Sequence, residues 1–340
     1  MLLRRNERSK FTSIFNPKNG CFVRVEDSDS EEPFWDSLGP ELVDISITNY
    51  CEYSCGICYK KEKNKHNMGE SEYNAVIDQL SAIGVFQVAL GGGNPNLHPR
   101  FNQFLKYAYS HGIVPNYTTN GSHLTNEILL STQQYCGVVG LSYYFQDNFN
   151  ELMLEFQRYK IKTNIHIVVT PKNIESITAG YLQQDAFKSA NAIIFLRYKP
   201  KKYSSGLSEC NFSVGNLEKF FCAVDRARKY VKIGFDSCFV NLMINFLTVR
   251  KELVEPCEAA RFSCYISEYL RMYPCSFMEN FDEGVDLKEM SIMDCWQKSS
   301  IFVNVRDRLF LNDCTPCALF DLCRGGCPIF HSEFHCKNIA

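Results

Sequence analysis

No run of about 18 uninterrupted apolar residues occurs in this 340-residue chain, so no segment is predicted to span a bilayer. A charge surplus is missing too: 36 Lys and Arg against 38 Asp and Glu leave a formal charge of −2. Without a basic face or a basic-aromatic motif, nothing draws the chain to nucleic acid or to an anionic membrane. Met1 to Val25 holds no apolar stretch ending in a small-residue cleavage site, which predicts a soluble protein of the cytoplasm, where thiols stay reduced. Internal repeats and a Gly-x-Gly-x-x-Gly turn are likewise absent. Cysteine is not: there are 17, about 5% of the chain and below the 8–10% of a disulfide scaffold. Metal ligation is the leading use for so many thiols in a reducing compartment.

Eleven of the cysteines fall in two groups. Cys51, Cys55 and Cys58 lie within eight residues; Cys257, Cys264, Cys275, Cys314, Cys317, Cys323, Cys327 and Cys336 fill the last quarter. Cys21, Cys136, Cys210, Cys222, Cys238 and Cys295 stand singly and are expected to be small buried hydrophobes, the usual role of free cysteine. Cys238 lies close to the C-terminal group and could see a cluster there.

Between the two groups strand-like and helix-like segments alternate. Strands are predicted at 42–48, 85–90, 114–119, 138–144, 164–170, 192–198 and 231–235. The intervening helices are predicted at 71–83, 100–111, 124–134, 148–159, 177–188 and 214–229, with Ser71 as a possible cap and Gly84 ending the first. This alternation implies an α/β fold on a parallel sheet, either open and doubly wound or a barrel; strands of similar length and the missing Gly-x-Gly-x-x-Gly turn favour the barrel, with chemistry at the C-terminal ends of the strands. The expected organisation is a preface at 1–40, irregular or with short strands and including acidic Glu26 to Glu32, the barrel at 41–240 and a loop-rich segment at 241–340. That last segment has little core of its own, as expected of one that folds around metal.

The trio Cys51-x3-Cys55-x2-Cys58 after the first strand leaves one iron of a four-iron cluster without a protein thiolate. In this it resembles the signature of the radical S-adenosylmethionine (radical SAM) enzymes. The resemblance implies a partial (β/α)6 TIM-type barrel as the core, a [4Fe-4S] cluster whose open iron chelates SAM, and reductive cleavage to a 5′-deoxyadenosyl radical that abstracts hydrogen from substrate. Gly91, Gly92, Gly93, Asn94 and Pro95 are similar to the family's Gly-Gly-Glu-Pro segment, whose backbone meets the SAM amino group; Asn94 replaces the usual Glu. Tyr117 to Gly121, with Asn120, resembles the family's third-strand ending. Ser142 matches a ribose contact, and Val169 and Arg197 match contacts to adenine or the SAM carboxylate. Ile57 departs from the aromatic residue common before the third cysteine.

Cys314-x2-Cys317-x5-Cys323-x3-Cys327 is similar to the central run of the SPASM extension, which binds two auxiliary [4Fe-4S] clusters. Leu270 stands where that extension has glycine. The resemblance implies one cluster on Cys257, Cys264, Cys275 and Cys327, and another on Cys314, Cys317, Cys323 and Cys336. Two all-cysteine zinc sites would use the same thiolates for structure alone.

SPASM relatives act mostly on ribosomally made peptides, which implies a peptide substrate and its crosslinking, epimerisation or oxidation. An external donor such as flavodoxin or ferredoxin would supply electrons. The 40 residues before the first strand are too few for a leader-binding domain, so a separate leader-binding partner is expected, or direct docking. Ser276 stands where sulfatase-maturing relatives carry a catalytic Asp. Asp236, Tyr143 and Tyr144 are the candidates for base or radical relay, and the basic stretches Lys60 to Lys65 and Arg197 to Lys202 could meet an acidic peptide, though such runs are more often solvated loops. The alternatives are a small-molecule biosynthetic intermediate as substrate, a non-catalytic iron–sulfur electron carrier, and a zinc-stabilised binding module.

Overall fold

The computed structural model describes residues 1–27, 33–60, 64–144, 146–179, 185–200, 211–330 and 336. Its strands are β1 (Leu2–Asn6), β2 (Phe11–Asn16), β3 (Cys21–Glu26), β4 (Leu42–Thr48), β5 (Gln87–Gly92), β6 (Val114–Thr119), β7 (Val139–Ser142), β8 (Thr163–Val169), β9 (Ala192–Arg197), β10 (Ile233–Phe235), β11 (Ser263–Ile266), β12 (Arg271–Tyr273) and β13 (Val285–Asp286). The chain divides into two compact units. One holds Met1–Tyr53, Lys60–Val139 and Ala259–Arg306; the other holds Ser54–Tyr59, Gly140–Glu258 and Asp307–Ala340.

In the first unit β4, β5 and β6 run parallel, each followed by a connection that carries a helix: Glu70–Ala82, Phe101–Ser110 and Asn126–Tyr135. Along β4 the side chains alternate as a pleated strand requires. Val43, Ile45 and Ile47 are at most 1% exposed, whereas Asp44 turns the other way. The first helix buries Tyr73, Val76, Ile77 and Leu80 at helical spacing. Its start corrects the expected cap: the helix begins at Glu70, and the Glu72 carboxylate accepts the Gly69 N–H at 2.8 Å, so Ser71 lies within the first turn. Gly84 ends it at φ +73°, a conformation costly for any other residue.

The preface takes the short-strand form: β1, β2 and β3 form an antiparallel sheet, and Arg4 at its start binds Asp36 at 2.7 Å. One finding departs from the expected organisation. The C-terminal segment also contributes to the parallel sheet, because β11 pairs parallel with β4, placing Cys264 beside Val43, and then continues antiparallel into β12 and β13. β13 has no second neighbour in the sheet order.

In the second unit β8, β9 and β10 are parallel, with β7 beside β8 and β10 as the edge, so the sheet does not close. Helix Val214–Ala227 buries Phe220 and Phe221 against Phe195 and Phe235. The helix expected over 177–188 is instead two short pieces, Ile174–Thr178 and Asp185–Lys188, with 180–184 outside the described residues. Thr170 donates its backbone N–H to the Asn173 side chain at 2.8 Å and so starts a turn where a longer helix would begin.

Candidate functional site

In the first unit the loop after β4 carries Cys51, and the glycine segment after β5 is folded onto it. Gly93 donates its N–H to the Thr48 carbonyl at 2.6 Å, and Asn94 donates to the Tyr50 carbonyl at 2.8 Å. A β-carbon on Gly92 would collide with Ser46 and the Thr48 carbonyl, and one on Gly93 with the Tyr50 carbonyl. These two glycines therefore serve the approach of two backbones. Gly91 is different: the space where its β-carbon would lie is open.

Asn94 is 2% exposed, and its amide is engaged within the protein. Its Oδ1 accepts from the Thr119 hydroxyl at 3.0 Å and its Nδ2 donates to the Ser122 hydroxyl at 3.1 Å. Asn96 joins the same network through Thr119 and the Ser122 carbonyl, at 2.7 Å each. The network orients Asn120, whose Oδ1 accepts from Ser122 and whose Nδ2 lies 3.7 Å from the Cys51 sulfur. An amide N–H directed at a ligating sulfur helps to orient it and tunes the metal it holds.

The chain beyond Cys58 is held by a buried ion cluster. Lys60 Nζ donates to Glu268 at 2.8 Å, to both oxygens of Glu279 at 3.0 and 2.9 Å, and to the Tyr265 hydroxyl at 3.1 Å. Burial, opposed by Lys60, leaves the Glu279 carboxyl above the usual range. The basic stretch is thus no solvated loop at its start, and residues 61–63 lie outside the described residues. Asp44 is a titratable group that sequence reasoning missed. It is accessible to solvent yet ringed by protein, and desolvation pushes its carboxyl up to about 6. A lone acid within the apolar run of β4 was the available signal.

In the second unit Cys58 donates its N–H to the Cys55 carbonyl, making a turn of that pair. Ser142 is half-buried, and its carbonyl accepts from Gln146. Val169 and Arg197 pair across β8 and β9 and share the face of Ile165 and Phe195, which Val214–Ala227 covers. Arg197 there donates to Asn241 at 2.8 Å and to the Cys238 carbonyl at 3.3 Å. The opposite face carries His166, whose ring lies where a Gly140 β-carbon would be and whose imidazole is lowered to about 4 by burial. Asp236 accepts the Arg197 N–H and pairs with Lys199 at 3.3 Å. Tyr143 packs edge-on against Phe149 and Phe187, while Tyr144 is exposed. The second basic stretch begins with buried Arg197 and Lys199, and 201 and 202 lie outside the described residues.

The C-terminal thiols separate by environment. Cys323 is raised by burial, opposed by a backbone hydrogen bond from Gly325, and Cys336, Cys314 and Cys317 are near enough to raise it further. Cys327 is raised by the nearby Cys238 thiol, by burial and by Cys257. Within the Cys238–Cys327 pair Cys238 is the lower, brought to about 7 by the nearby Cys327 thiol. Cys264 lies on the face of β11 that packs under the helices Ile292–Lys298 and Ser300–Phe310, 2% exposed, and is raised by burial and by Cys295. Cys275 opens the 3-10 turn Ser276–Asn280. Of the single cysteines only Cys295 is fully buried: Cys21 and Cys222 are exposed, on an outward-facing strand position and an outer helix face, and Cys210 lies outside the described residues. Among the described residues no three His, Cys, Asp or Glu side chains close to single-ion distance. Thiols on turns, an amide directed at Cys51 and neighbouring C-terminal cysteines fit iron–sulfur ligation in donor type.

No family model matches the chain. Mycofactocin maturase MftC of Mycobacterium tuberculosis is 22% identical over 309 residues, covering 85% of this chain and 78% of MftC. Among solved structures, Streptococcus suis SuiB bound to its precursor peptide SuiA superposes with a TM-score of 0.69 at 18% identity, over 85% of this chain and 72% of SuiB. The anSMEcpe enzyme bound to AdoMet and a peptide gives 0.66 at 17% identity, over 88% and 95%. No described helix is long and apolar enough to cross a membrane. The Cys51–Cys58 trio, the glycine segment after β5 and the C-terminal cysteine run lie on a fold shared with SuiB and anSMEcpe, and in these features the chain is similar to radical SAM proteins with a C-terminal SPASM extension.

Proposed function

We propose that this protein is a peptide-modifying radical SAM enzyme, a maturase acting on a ribosomally made precursor. The observation that carries the reading is the loop after β4, where Cys51 is faced by Asn120 and braced by the Gly92–Asn94 backbone. Cys51, Cys55 and Cys58 would hold the [4Fe-4S] cluster, and the open space at Gly91 supports that strand end as the part of the main chain that SAM would meet. Such a cluster, when bound and reduced by a flavodoxin- or ferredoxin-type donor, supplies the electron for SAM cleavage and hence hydrogen abstraction from substrate.

The chain's own residues have separate tasks. Asn120 orients the Cys51 sulfur, the Asn94–Thr119–Ser122 network fixes Asn120, and Lys60 secures the chain beyond Cys58. Cys314, Cys317, Cys323 and Cys336 would hold one auxiliary cluster, with a second on the remaining C-terminal thiols. MftC, SuiB with its precursor peptide and anSMEcpe with a bound peptide support a peptide as substrate, presented directly or by a leader-binding partner.

The test is anaerobic reconstitution, iron and sulfide analysis and 5′-deoxyadenosine production, followed by mass spectrometry of short precursor peptides encoded beside the gene. The reading expects Cys55→Ala to abolish 5′-deoxyadenosine while C-terminal iron is retained. Unchanged 5′-deoxyadenosine in that variant would overturn the trio's role. Turnover of a small molecule with no peptide modified would overturn the substrate class.

A further inference from the structure

We propose that Cys238, rather than Cys264, completes the ligand set of the auxiliary cluster that includes Cys257 and Cys327. The inference rests on the reading above that the C-terminal cysteines hold iron–sulfur clusters. Cys238 lies outside the SPASM-like spacing, in the 3-10 turn Ser237–Phe239 that follows β10.

Three observations carry it. The Cys238 and Cys327 thiols are close enough to act on each other, and Cys257 is near enough to act on Cys327. The chain segments also approach: Gly326, at φ +84°, has the Asn241 side-chain Nδ2 3.3 Å from where its β-carbon would be, which sets the residue before Cys327 beside the side chain three residues after Cys238. The turn itself is rigidly placed, since the buried Arg197 guanidinium binds both the Cys238 carbonyl and Asn241. A preorganised first ligand pair needs little rearrangement to accept iron.

Cys264 is committed elsewhere. It faces away from the strand side that carries Asp44, in register with Val43, and is enclosed by Cys295 and Arg306 under two helices. Exposing it to a cluster would break that packing, whereas Cys238 is half-buried and reachable. Ligation by Cys238 is a deprotonation and an Fe–S bond; no oxidant or reductant is required.

The experiment removes the SAM cluster first, with Cys51→Ala, Cys55→Ala and Cys58→Ala together in the full chain, so that only auxiliary iron is counted. That background is expected to hold about eight irons per chain if two four-iron clusters assemble. Adding Cys238→Ala should lower iron by one to four per chain and change the Mössbauer spectrum; adding Cys264→Ala should leave both unchanged. Unchanged iron and spectrum in Cys238→Ala, or loss confined to Cys264→Ala, overturns the assignment. A background holding zinc and no iron overturns the auxiliary-cluster reading itself, and the assignment with it. Because a cysteine variant can misfold, alkylation of the unmutated holoprotein gives a second readout. Cys238 should be protected from iodoacetamide until iron is chelated, and equal labelling before and after chelation overturns the proposal.

Discussion

Replacing Lys60 by Met removes the ammonium that holds a buried cluster together and leaves its two carboxylates behind. The Lys60 and Glu268 side chains are 2% and 1% exposed, and that of Glu279 is 13% exposed. The Glu268 Oε1 already has no hydrogen-bond partner among the described residues, so Lys60 is the mainstay of that carboxylate. Removing one member of a buried pair costs about 3–5 kcal/mol. Glu279 retains some solvent and the Tyr265 hydroxyl, 3.3 Å away, which places the expectation in the lower half of that range. At about 1.4 kcal/mol per decade, 3 kcal/mol is on the order of a hundredfold in the folding equilibrium. The sign with pH also follows. Glu279 is already raised by burial, and loss of the ammonium raises it further. A carboxyl raised in the folded state favours folding below its unfolded value of about 4.3, and the advantage is lost as pH rises through the folded value. The deficit of Lys60→Met should therefore be smallest near pH 4.5 and grow toward pH 8. Urea unfolding of both proteins across that range measures it. A difference under about 1 kcal/mol at pH 8, within the range of exposed pairs, or one independent of pH, would refute the reasoning.

Three further outcomes follow from the same structure. Gly92→Ala and Gly93→Ala should lower stability and SAM affinity together, because the new methyl meets backbone, whereas Gly91→Ala should unfold like the wild type and change only SAM affinity; urea unfolding and equilibrium binding separate the two. Asp44, raised to about 6, contributes stability that is present below about pH 3.9 and is lost as pH rises through about 6, so Asp44→Asn should flatten the urea midpoint against pH in that window. Asn120→Ala removes the amide from the Cys51 sulfur; the SAM-binding cluster should then have a more negative reduction potential, read by anaerobic redox titration, and an unchanged potential would show that the contact does not tune it.

Most of the architecture was legible because strand and helix periods differ. The alternation from Leu42 to Phe235 marks β4 to β10 within a few residues, and the misplaced boundaries at Ser71 and 177–188 were decided by single side chains, Glu72 and Asn173, that bind backbone locally. The pairing of β11 with β4 was not legible, since parallel partners about 220 residues apart carry no local signal. The same holds for Lys60: among Lys60 to Lys65 it reads as one more solvated lysine until Glu268 and Glu279 are brought to it.

By itself, the sequence determined the chemistry that the chain can support. The number and spacing of its thiols, the glycines after β5 and the βα alternation are local properties, and local properties are written along the chain. Which face each residue presents was settled only by tertiary structure. Val169 and Arg197 turn under a helix, Gly92 and Gly93 serve backbone packing while Gly91 stays open, and Cys264 is enclosed while Cys238 meets Cys327. Such choices depend on register and on contacts between distant segments, where a shift of one residue reverses the direction of every side chain.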